Sequence, residues 1–460
     1  MENTQNLKSL HWDITNKCNL RCNHCYNANK YFDKKSSEYI SAHLTLEEAK
    51  NIVDKFYSKG FRHIHLLGGE PLAAENLFEI IRYIKHYNMV LTINSNATLL
   101  DDKMQDMLIN LGVDQFAASL DGASKEINDR VRGEGTFDLV CRNMIEFNKK
   151  IKQRSAPIET VLVFTLTKAN INDLIKMPEL ASQLGIDLIT FTVFLTTGNG
   201  KKNKNDFYID VKSTYQKVEE MLEENAKNER IPIQIDTRPL ICDYYANKYN
   251  SAILFNKKNS LCSAGETVWY LEADGGINPC LGYQLDWGKS FFKNKGIERE
   301  KLYIQSEEIE DIQKSTYWKK FLEYKHLINS QKIKTCVGCP FDEVCEPCFL
   351  EYENKSRVPE CEYIKECICK DFKNIGKKKL IISNDVEFTE NTIKKKGKDI
   401  LIFNNSMTKI FLENIKNGST FEELYNMIYK EYAVDEVWLK YDICKFIYKL
   451  VNNNIAYLNY

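Results

Sequence analysis

Cys18, Cys22 and Cys25 lie in the run Cys-Asn-Leu-Arg-Cys-Asn-His-Cys, directly after the short apolar segment Leu10–Thr15. Clustered thiols in a reducing compartment are metal ligands or redox groups before they are disulfides. Three thiolates on so tight a loop can bind three irons of a [4Fe–4S] cube and leave the fourth iron open. An open iron takes an outside chelate, and the amino and carboxylate groups of a methionine-type molecule would fill it. The competing chemistry is a zinc site with His24 as its fourth ligand.

A second set of cysteines follows. Of 15 in the chain, three lie at 18–25 and ten between 242 and 369. Cys262 is followed by Gly275 and Cys280, then by Cys336-x2-Cys339-x5-Cys345-x2-Cys348 and Cys361, with Cys367 and Cys369 close behind. Two structural zinc sites are the plain alternative for this set. Cys141 and Cys444 stand alone on the apolar faces of expected helices and read as buried structural thiols.

The elements that must position the first loop read as alternating strands and helices over the first 230 residues. Expected strands are Leu10–Thr15, His63–Leu67, Val90–Ser95, Gln115–Leu120, Glu159–Leu166 and Leu188–Phe194. Expected helices are Thr45–Gly60, Leu72–Tyr87, Asp102–Leu111, Phe137–Ile151, Asn172–Leu184 and Val211–Ala226. Thr45 and Glu48 make a capping box that opens the first of these. Buried-type strands in β/α alternation imply a parallel sheet, either a partial (β/α)6 barrel or an open doubly wound sheet. In either case the chemistry belongs in the loops after the strands. Those loops carry Gly68-Gly69-Glu70-Pro71, where two glycines admit a close approach and Glu70 offers an acceptor for an ammonium group. They also carry Ser119-Leu-Asp121-Gly122, with Arg130 and Arg132 beyond as partners for a carboxylate.

From 231 to 375 the regular pattern breaks and metal ligation is the expected source of order. Residues 379–460 read as a β-ribbon around Gly397 followed by helices Met407–Lys416, Phe421–Tyr432 and Val437–Asn452, a small winged-helix-like module. Lys201–Lys204 and Lys377–Lys379 read as solvated loops. The formal net charge of −1 gives no electrostatic reason to expect nucleic acid. No apolar run of about 18 residues indicates a membrane span. The first residues lack the apolar stretch of a signal peptide, so a cytoplasmic location is expected.

Residues 8–230 resemble the radical S-adenosylmethionine (SAM) superfamily through the three-cysteine loop, GGEP and SLDG in that order. The resemblance implies a partial (β/α)6 barrel, with Cys18, Cys22 and Cys25 holding a [4Fe–4S] cluster. It implies that backbone around Gly68, Gly69 and Glu70 holds the amino group of SAM, and that Ser119 lies near its ribose or carboxylate. Arg132 or Arg130 would pair with the carboxylate, and His24 stands where relatives often have an aromatic residue near the adenine. Ser95-Asn96 replaces the Asn-Gly usual in relatives. The later cysteines, over 231–375, resemble the SPASM extension and its two auxiliary [4Fe–4S] clusters. That resemblance implies Cys262, Cys280 and Cys348 on the inner cluster and Cys336, Cys339, Cys345 and Cys361 on the outer one. The inner cluster's fourth ligand stays open between Cys242, a vacant position and a substrate thiolate. Cys367 and Cys369 compete with Cys361. The last pair of the run is separated by two residues where relatives usually have three.

Residues 379–460 resemble the small peptide-binding chaperone of pyrroloquinoline quinone biosynthesis. The expected protein is therefore a maturase of a ribosomally made peptide. A leader would dock on the last module by strand addition, and an electron donor such as flavodoxin or ferredoxin would reduce the cluster. A 5′-deoxyadenosyl radical would remove a peptide hydrogen, and a cross-link, first of all a cysteine thioether, would close. Two other readings are an enzyme that oxidises a protein or small molecule, as sulfatase-activating relatives do, and a metal-stabilised DNA-binding regulator.

Overall fold

In the computed structural model the described residues are 7–28, 32–33, 38–39, 44–228, 231–235, 237–249, 253–254, 262–297, 300, 302–329, 336, 338–341, 345, 358–389, 392–402, 406–416, 418–432 and 434–459. The chain divides into two compact units. The first comprises residues 1–237, 252–332 and 344–354; the second comprises 238–251, 333–343 and 355–460. Among the described residues no helix is long and apolar enough to cross a membrane.

The first unit is built on one sheet. Its six principal strands are β1 (Lys8–Thr15), β2 (Phe61–Gly68), β3 (Val90–Ser95), β4 (Gln115–Ser119), β5 (Glu159–Leu166) and β6 (Leu188–Val193). They lie side by side in chain order, all parallel. Ile233–Ile235 and Ile253–Leu254 extend the sheet beyond β6, while Val268–Leu271 and Ile277–Asn278 extend it beyond β1. A doubly wound sheet reverses its strand order at a switch point. This one does not reverse, so every right-handed crossover stacks its helix on the same face. The outcome is a mixed α/β fold with a partial barrel, as expected from the strand and helix alternation.

Helices α1 (Leu46–Ser58), α2 (Leu77–His86), α3 (Asp102–Leu111), α4 (Lys125–Arg132) and α5 (Thr136–Arg154) follow the first four strands. The Thr45–Glu48 capping box forms at α1. Several elements differ from expectation, among them the helix expected at Asn172–Leu184, which is a 3-10 stretch Ile171–Lys176 and then a helix Met177–Leu184. The helix expected at Leu72–Tyr87 is a single 3-10 turn, Pro71–Ala73, and then α2, because Asn76 breaks the chain at φ 58°. Helix α4 has no apolar stripe to announce it, its buried positions being Asn128, Val131 and Arg132. The Lys201–Lys204 stretch is not a loop but lies in the short helices Gly198–Lys202 and Lys204–Phe207.

Strand periodicity divides the sheet into two unlike faces. Leu10, Trp12, Ile64, Leu66, Leu91, Ile93, Phe116, Leu162, Phe164, Ile189 and Phe191 turn outward and are buried. Contacts such as Phe56 against Trp269 and Phe116 against Phe147 join this face to the helices. The inward face is polar. At its lower end it is closed by the buried cluster Ala117, Val161 and Leu188 and by a hydrogen-bonded chain across five strands. Ser9 Oγ meets His63 Nδ1 at 3.0 Å and His63 Nε2 meets Thr92 Oγ1 at 3.0 Å. Thr92 Oγ1 donates to Gln115 Oε1 at 3.3 Å, and Gln115 Nε2 to Glu159 Oε2 at 2.6 Å. Nearer the strand ends His11, His65, Asn94, Ser119, Thr165, Thr190 and Thr192 are only half-buried. The inside of the sheet is thus a cup with a sealed floor.

The second unit packs Pro239–Tyr249, Pro359–Ile375 and Glu436–Asn452 as helices, with the half-buried Asp371 and the buried Asp243 as acceptors. Asp371 takes the hydroxyls of Tyr244 at 2.5 Å and Tyr448 at 2.6 Å. Asp243 takes the hydroxyl of Tyr441 and an ion pair from Lys445 at 2.8 Å. Residues 359–375, expected to be irregular, are one helix burying Cys361, Ile364, Ile368, Phe372 and Ile375 at helical spacing. A ribbon of Val386–Phe388, Thr392–Lys395 and Lys398–Ile402, a pair Leu380–Ile382 with Ala456–Leu458, and helices Ser406–Lys416 and Phe421–Glu431 complete it.

Candidate active site

The loop bearing Cys18, Cys22 and Cys25 leaves β1 at the open end of the cup and is tied down from three sides. From α4, the Val131 carbonyl accepts the Asn23 N–H at 2.9 Å and the Arg130 carbonyl accepts Asn23 Nδ2 at 2.8 Å. From the Gly198–Lys202 helix, Asn199 donates its N–H to the Cys25 carbonyl at 3.0 Å and its side-chain amide to the Cys22 carbonyl at 3.0 Å. From the end of β2, the Gly69 and Glu70 N–H groups donate to the Thr15 and Lys17 carbonyls at 2.8 and 2.7 Å.

Those last bonds explain the glycine pair. A Cβ on Gly68 would overlap the Thr15 carbonyl oxygen, and one on Gly69 the Lys17 carbonyl oxygen. Gly68 also sits at φ +124°, a conformation open mainly to glycine. The close approach that two glycines permit is therefore made to the cysteine loop itself. Glu70, 1% exposed, binds its own neighbourhood. Oε1 accepts the Leu72 N–H at 3.0 Å and Ser95 Oγ at 2.6 Å, and Oε2 accepts the Asn96 N–H at 2.7 Å. Burial pushes its carboxyl up from the ordinary value, against those hydrogen bonds and Arg132. Asn96, one residue of the unusual Ser95-Asn96 pair, donates Nδ2 to Asn19 at 2.9 Å and points at Cys18 Sγ at 3.9 Å.

The Ser119-Leu-Asp121-Gly122 loop supplies a buried charge cluster. Asp121 is fully buried. Its Oδ2 lies 2.7 Å from Arg132 Nε and 3.1 Å from His24 Nε2, and its Oδ1 accepts the Thr165 N–H at 2.7 Å. Burial by itself would raise the Asp121 carboxyl, but the Arg132 and His24 charges outweigh it and hold it at about 2. Arg132 is buried whereas Arg130 is exposed, so Arg132 is the arginine that faces the site. Its carbonyl lies 3.9 Å from Cys22 Sγ. Ser119 ends β4 in register with Val163 and is half-buried.

The three thiols share one electrostatic environment. Burial raises all of them, Cys22 to about 12, Cys25 further raises Cys18 and Cys22, and Arg132 and Arg21 act the other way. Only a Lewis acid that replaces their protons makes such groups thiolates at neutral pH. Three thiols on one short loop are a donor set that suits a [4Fe–4S] cube, which presents a separate iron to each thiolate.

Of the later cysteines, Cys262, Cys280 and Cys345 belong to the first unit, and Cys336, Cys339, Cys361 and Cys242 to the second. Cys280 Sγ accepts the Gly282 N–H at 3.2 Å, and the Cys339 N–H donates to the Cys336 carbonyl at 3.0 Å. Cys348 lies outside the described residues. Cys444 is buried as expected, while Cys141 is half-buried, its thiol raised by burial to about 11.

Residues 12–178 match the profile of the Radical SAM superfamily. This segment is a radical SAM domain. Among curated relatives, Fe-coproporphyrin III synthase of Methanosarcina barkeri is 30% identical over 50% of this chain and 55% of its own length. AdoMet-dependent heme synthase of the same organism is 25% identical over 73% and 89%. Mycofactocin maturase MftC of Mycolicibacterium smegmatis is 27% identical over 39% and 43%. The chain thus spans about half the length of the first of these relatives. Among solved structures, Streptococcus suis SuiB bound to precursor peptide SuiA covers 77% of this chain, with 74% of its own length aligned, at TM-score 0.57 and 17% identity. Native anSMEcpe with bound AdoMet and Kp18Cys peptide covers 80%, with 97% of its own length, at TM-score 0.57 and 20% identity. These likenesses show the fold. The curated relatives named above are, by their names, two synthases and a maturase. Radical SAM domains bind S-adenosylmethionine and a [4Fe–4S] cluster.

Sequence reasoning noted Asn94 and Asn96 only as standing where relatives differ, and passed over Asn199 and the inward side chains His11 and His65. For the two histidines a signal was present. Histidines at alternate positions of otherwise apolar strands share one face.

Proposed function

We propose that this protein is a radical SAM maturase of a ribosomally made precursor peptide. The observation that supports it is the cysteine loop set at the open end of a half-open polar cup. When bound, the reduced cluster and SAM supply a 5′-deoxyadenosyl radical that removes hydrogen from carbon, and auxiliary clusters supply a sink for the surplus electron. Cys18, Cys22 and Cys25 hold the cluster, and Asn96 and the Leu20 N–H face the Cys18 sulfur. Backbone around Gly68, Gly69 and Glu70, with Ser119 and His24, lines the place for SAM. Arg132 is oriented for its carboxylate by Asp121. In this reading Cys262, Cys280 and Cys348 hold an inner auxiliary cluster, and Cys336, Cys339, Cys345 and Cys361 an outer one. Residues 379–460 receive the leader, and a flavodoxin or ferredoxin delivers electrons in the cytoplasm. The sealed floor keeps water from the reacting carbon, and the product is a cross-link, with a cysteine thioether first.

A tetrapyrrole substrate is the second reading, favoured by the identity to heme synthase over 89% of that relative. Against it, the inward face carries the acids Asp13 and Glu159 and neutral side chains, a poor match for porphyrin carboxylates. The test is anaerobic reconstitution and reduction, then incubation with the peptide encoded beside the gene or with iron coproporphyrin III. A peptide lighter by two hydrogens, together with 5′-deoxyadenosine, is expected. Unchanged peptide mass at full SAM turnover overturns the cross-linking claim, and conversion of the porphyrin selects the second reading. About twelve irons are expected for three cubane clusters.

A further inference from the structure

The lysines at 201–204 read in the sequence as a solvated loop, but the fold sets them against the cysteine loop. The short helix Gly198–Lys202 follows β6, and its Asn199 donates to the Cys22 and Cys25 carbonyls at 3.0 Å each. Asn203, between Lys202 and Lys204, donates Nδ2 to the Asn23 carbonyl at 2.8 Å. Gly198 permits this approach. At φ +56° it lies so near the Cys25 and Tyr26 carbonyl oxygens that a Cβ would overlap both. On the other flank Asn23 Nδ2 donates to the Arg130 carbonyl at 2.8 Å. Backbone and amide contacts, and not charge, therefore hold the lysine-bearing segment and the end of α4 on either side of Asn23.

This rim is where the three thiols come nearest to solvent. Asn19, Arg21 and Asn23 are exposed, while Cys18, Cys22 and Cys25 between them are half-buried. The loop and its two flanks carry five exposed cations, Arg21, Arg130, Lys201, Lys202 and Lys204, against two exposed acids, Glu134 and Asp206. The chain as a whole has a formal net charge of −1, so the excess is local. Among the described residues Lys202, Lys204 and Arg130 enter no ion pair, whereas Lys17 and Lys125 are paired with Glu75 and Asp138. Asp129 is spent on the N–H groups of Gly135 and Phe137. Lys204 Nζ lies 5.4 Å from the ring centre of Tyr208, which is 51% exposed. Unpaired cations beside an exposed aromatic ring suit an acidic protein partner.

We propose that this rim is the docking surface for an acidic one-electron carrier protein, with Lys202, Lys204 and Arg130 as its charged contacts and Asn23 between them. The proposal rests on the reading that Cys18, Cys22 and Cys25 hold a cluster, and it deepens that reading by naming where the electron enters. In the docked pair the carrier is oxidised by one electron and the cluster is reduced by one. No bond of this chain forms or breaks.

The experiment uses the anaerobically reconstituted full chain and two probes, an acidic bacterial flavodoxin and an acidic bacterial ferredoxin. Binding of the oxidised carriers is titrated first, without turnover. Wild type should bind at least one of them, with an affinity that falls as ionic strength rises past about 0.1 M. Lys202→Glu combined with Lys204→Glu should weaken that binding by about tenfold or more. Arg130→Glu, on the other flank, should weaken it independently. Lys149→Glu combined with Lys152→Glu makes the same charge change at exposed positions of α5 and should retain the binding. Circular dichroism and iron content matched to wild type show that each variant is folded. Stopped-flow absorbance then compares reduction by the reduced carrier with reduction by dithionite, and the ratio of the two rates should fall in step with binding. No binding of either carrier, salt-independent binding, or an equal loss in the α5 control overturns the proposal. Preference for a mixed-sequence RNA over both carriers also overturns it. A protein whose cluster dithionite reduces but neither carrier reaches keeps the cluster reading and loses this surface; a protein that holds no cluster loses both.

Discussion

Asp121 and Arg132 form the most consequential ion pair in the radical SAM domain, and a double-mutant cycle measures it. The pair is 2.7 Å apart, with both side chains nearly or fully buried. Holding the Asp121 carboxyl at about 2 against an ordinary 3.8 corresponds to about 2.4 kcal/mol of folding free energy. The sign is that of a depressed acid. The contribution is fully present above the unfolded value and is lost as pH falls through about 2. Removing one partner strands the other charge in the interior, which typically costs about 3–5 kcal/mol. Asp121→Asn and Arg132→Met should each destabilise by about that much. The double variant should cost clearly less than their sum, because neither charge is then left alone. Urea unfolding followed by circular dichroism, read at the transition of the first unit, supplies the three values. Strict additivity, within about 0.5 kcal/mol, would refute the claim that the two residues act as a pair. A flat response of wild type and Asp121→Asn alike between pH 5 and pH 2 would refute the electrostatic account of the carboxyl.

Two further outcomes follow from the geometry. Gly69→Ala places a methyl group on the Lys17 carbonyl; since both sides are backbone, the cysteine loop must move. Iron retained at the Cys18–Cys25 loop after anaerobic reconstitution should fall well below wild type, and unchanged iron content would contradict the packing role of this glycine. His11 and His63 are each held neutral by burial, at about 4. The unfolded chain binds their protons first, so stability should drop as pH falls from about 6.5 to about 4, by about 3 kcal/mol for each ring. Replacing either histidine with Asn should shallow that slope, which acid-unfolding curves measure.

Much of the barrel is legible because its signals are local. Val90–Ser95, Asp102–Leu111 and Glu159–Leu166 fall where period and punctuation place them, and the Thr45–Glu48 and Thr420–Glu423 capping boxes both form. Helix α4 is not legible in that way. It buries Asn128 and Arg132, whose partners are Asp121 from the loop before it and Thr136 at the start of α5. The helix at 359–375 was obscured by reading its cysteines only as ligands. Cys361 shares a face with Ile364, Ile368 and Phe372, so it obeys the apolar period as well.

The candidate site divides along the same line. The sequence by itself determined the three-thiol loop, the glycine pair, the acids after β2 and β4, and the order in which the strands deliver them. Residue type and short spacing carry all of these. Only the tertiary structure decided their partners. Gly68 and Gly69 accommodate the cysteine loop, Glu70 braces Asn96, and Arg132 rather than Arg130 faces Asp121. Cys22 Sγ meets the Arg132 carbonyl from 110 residues away. Burial and charge pairing are properties of distant segments brought together, and no local pattern encodes them. The polar cup shows this most plainly: each histidine is visible in its own strand, but their common face exists only once the strands are side by side.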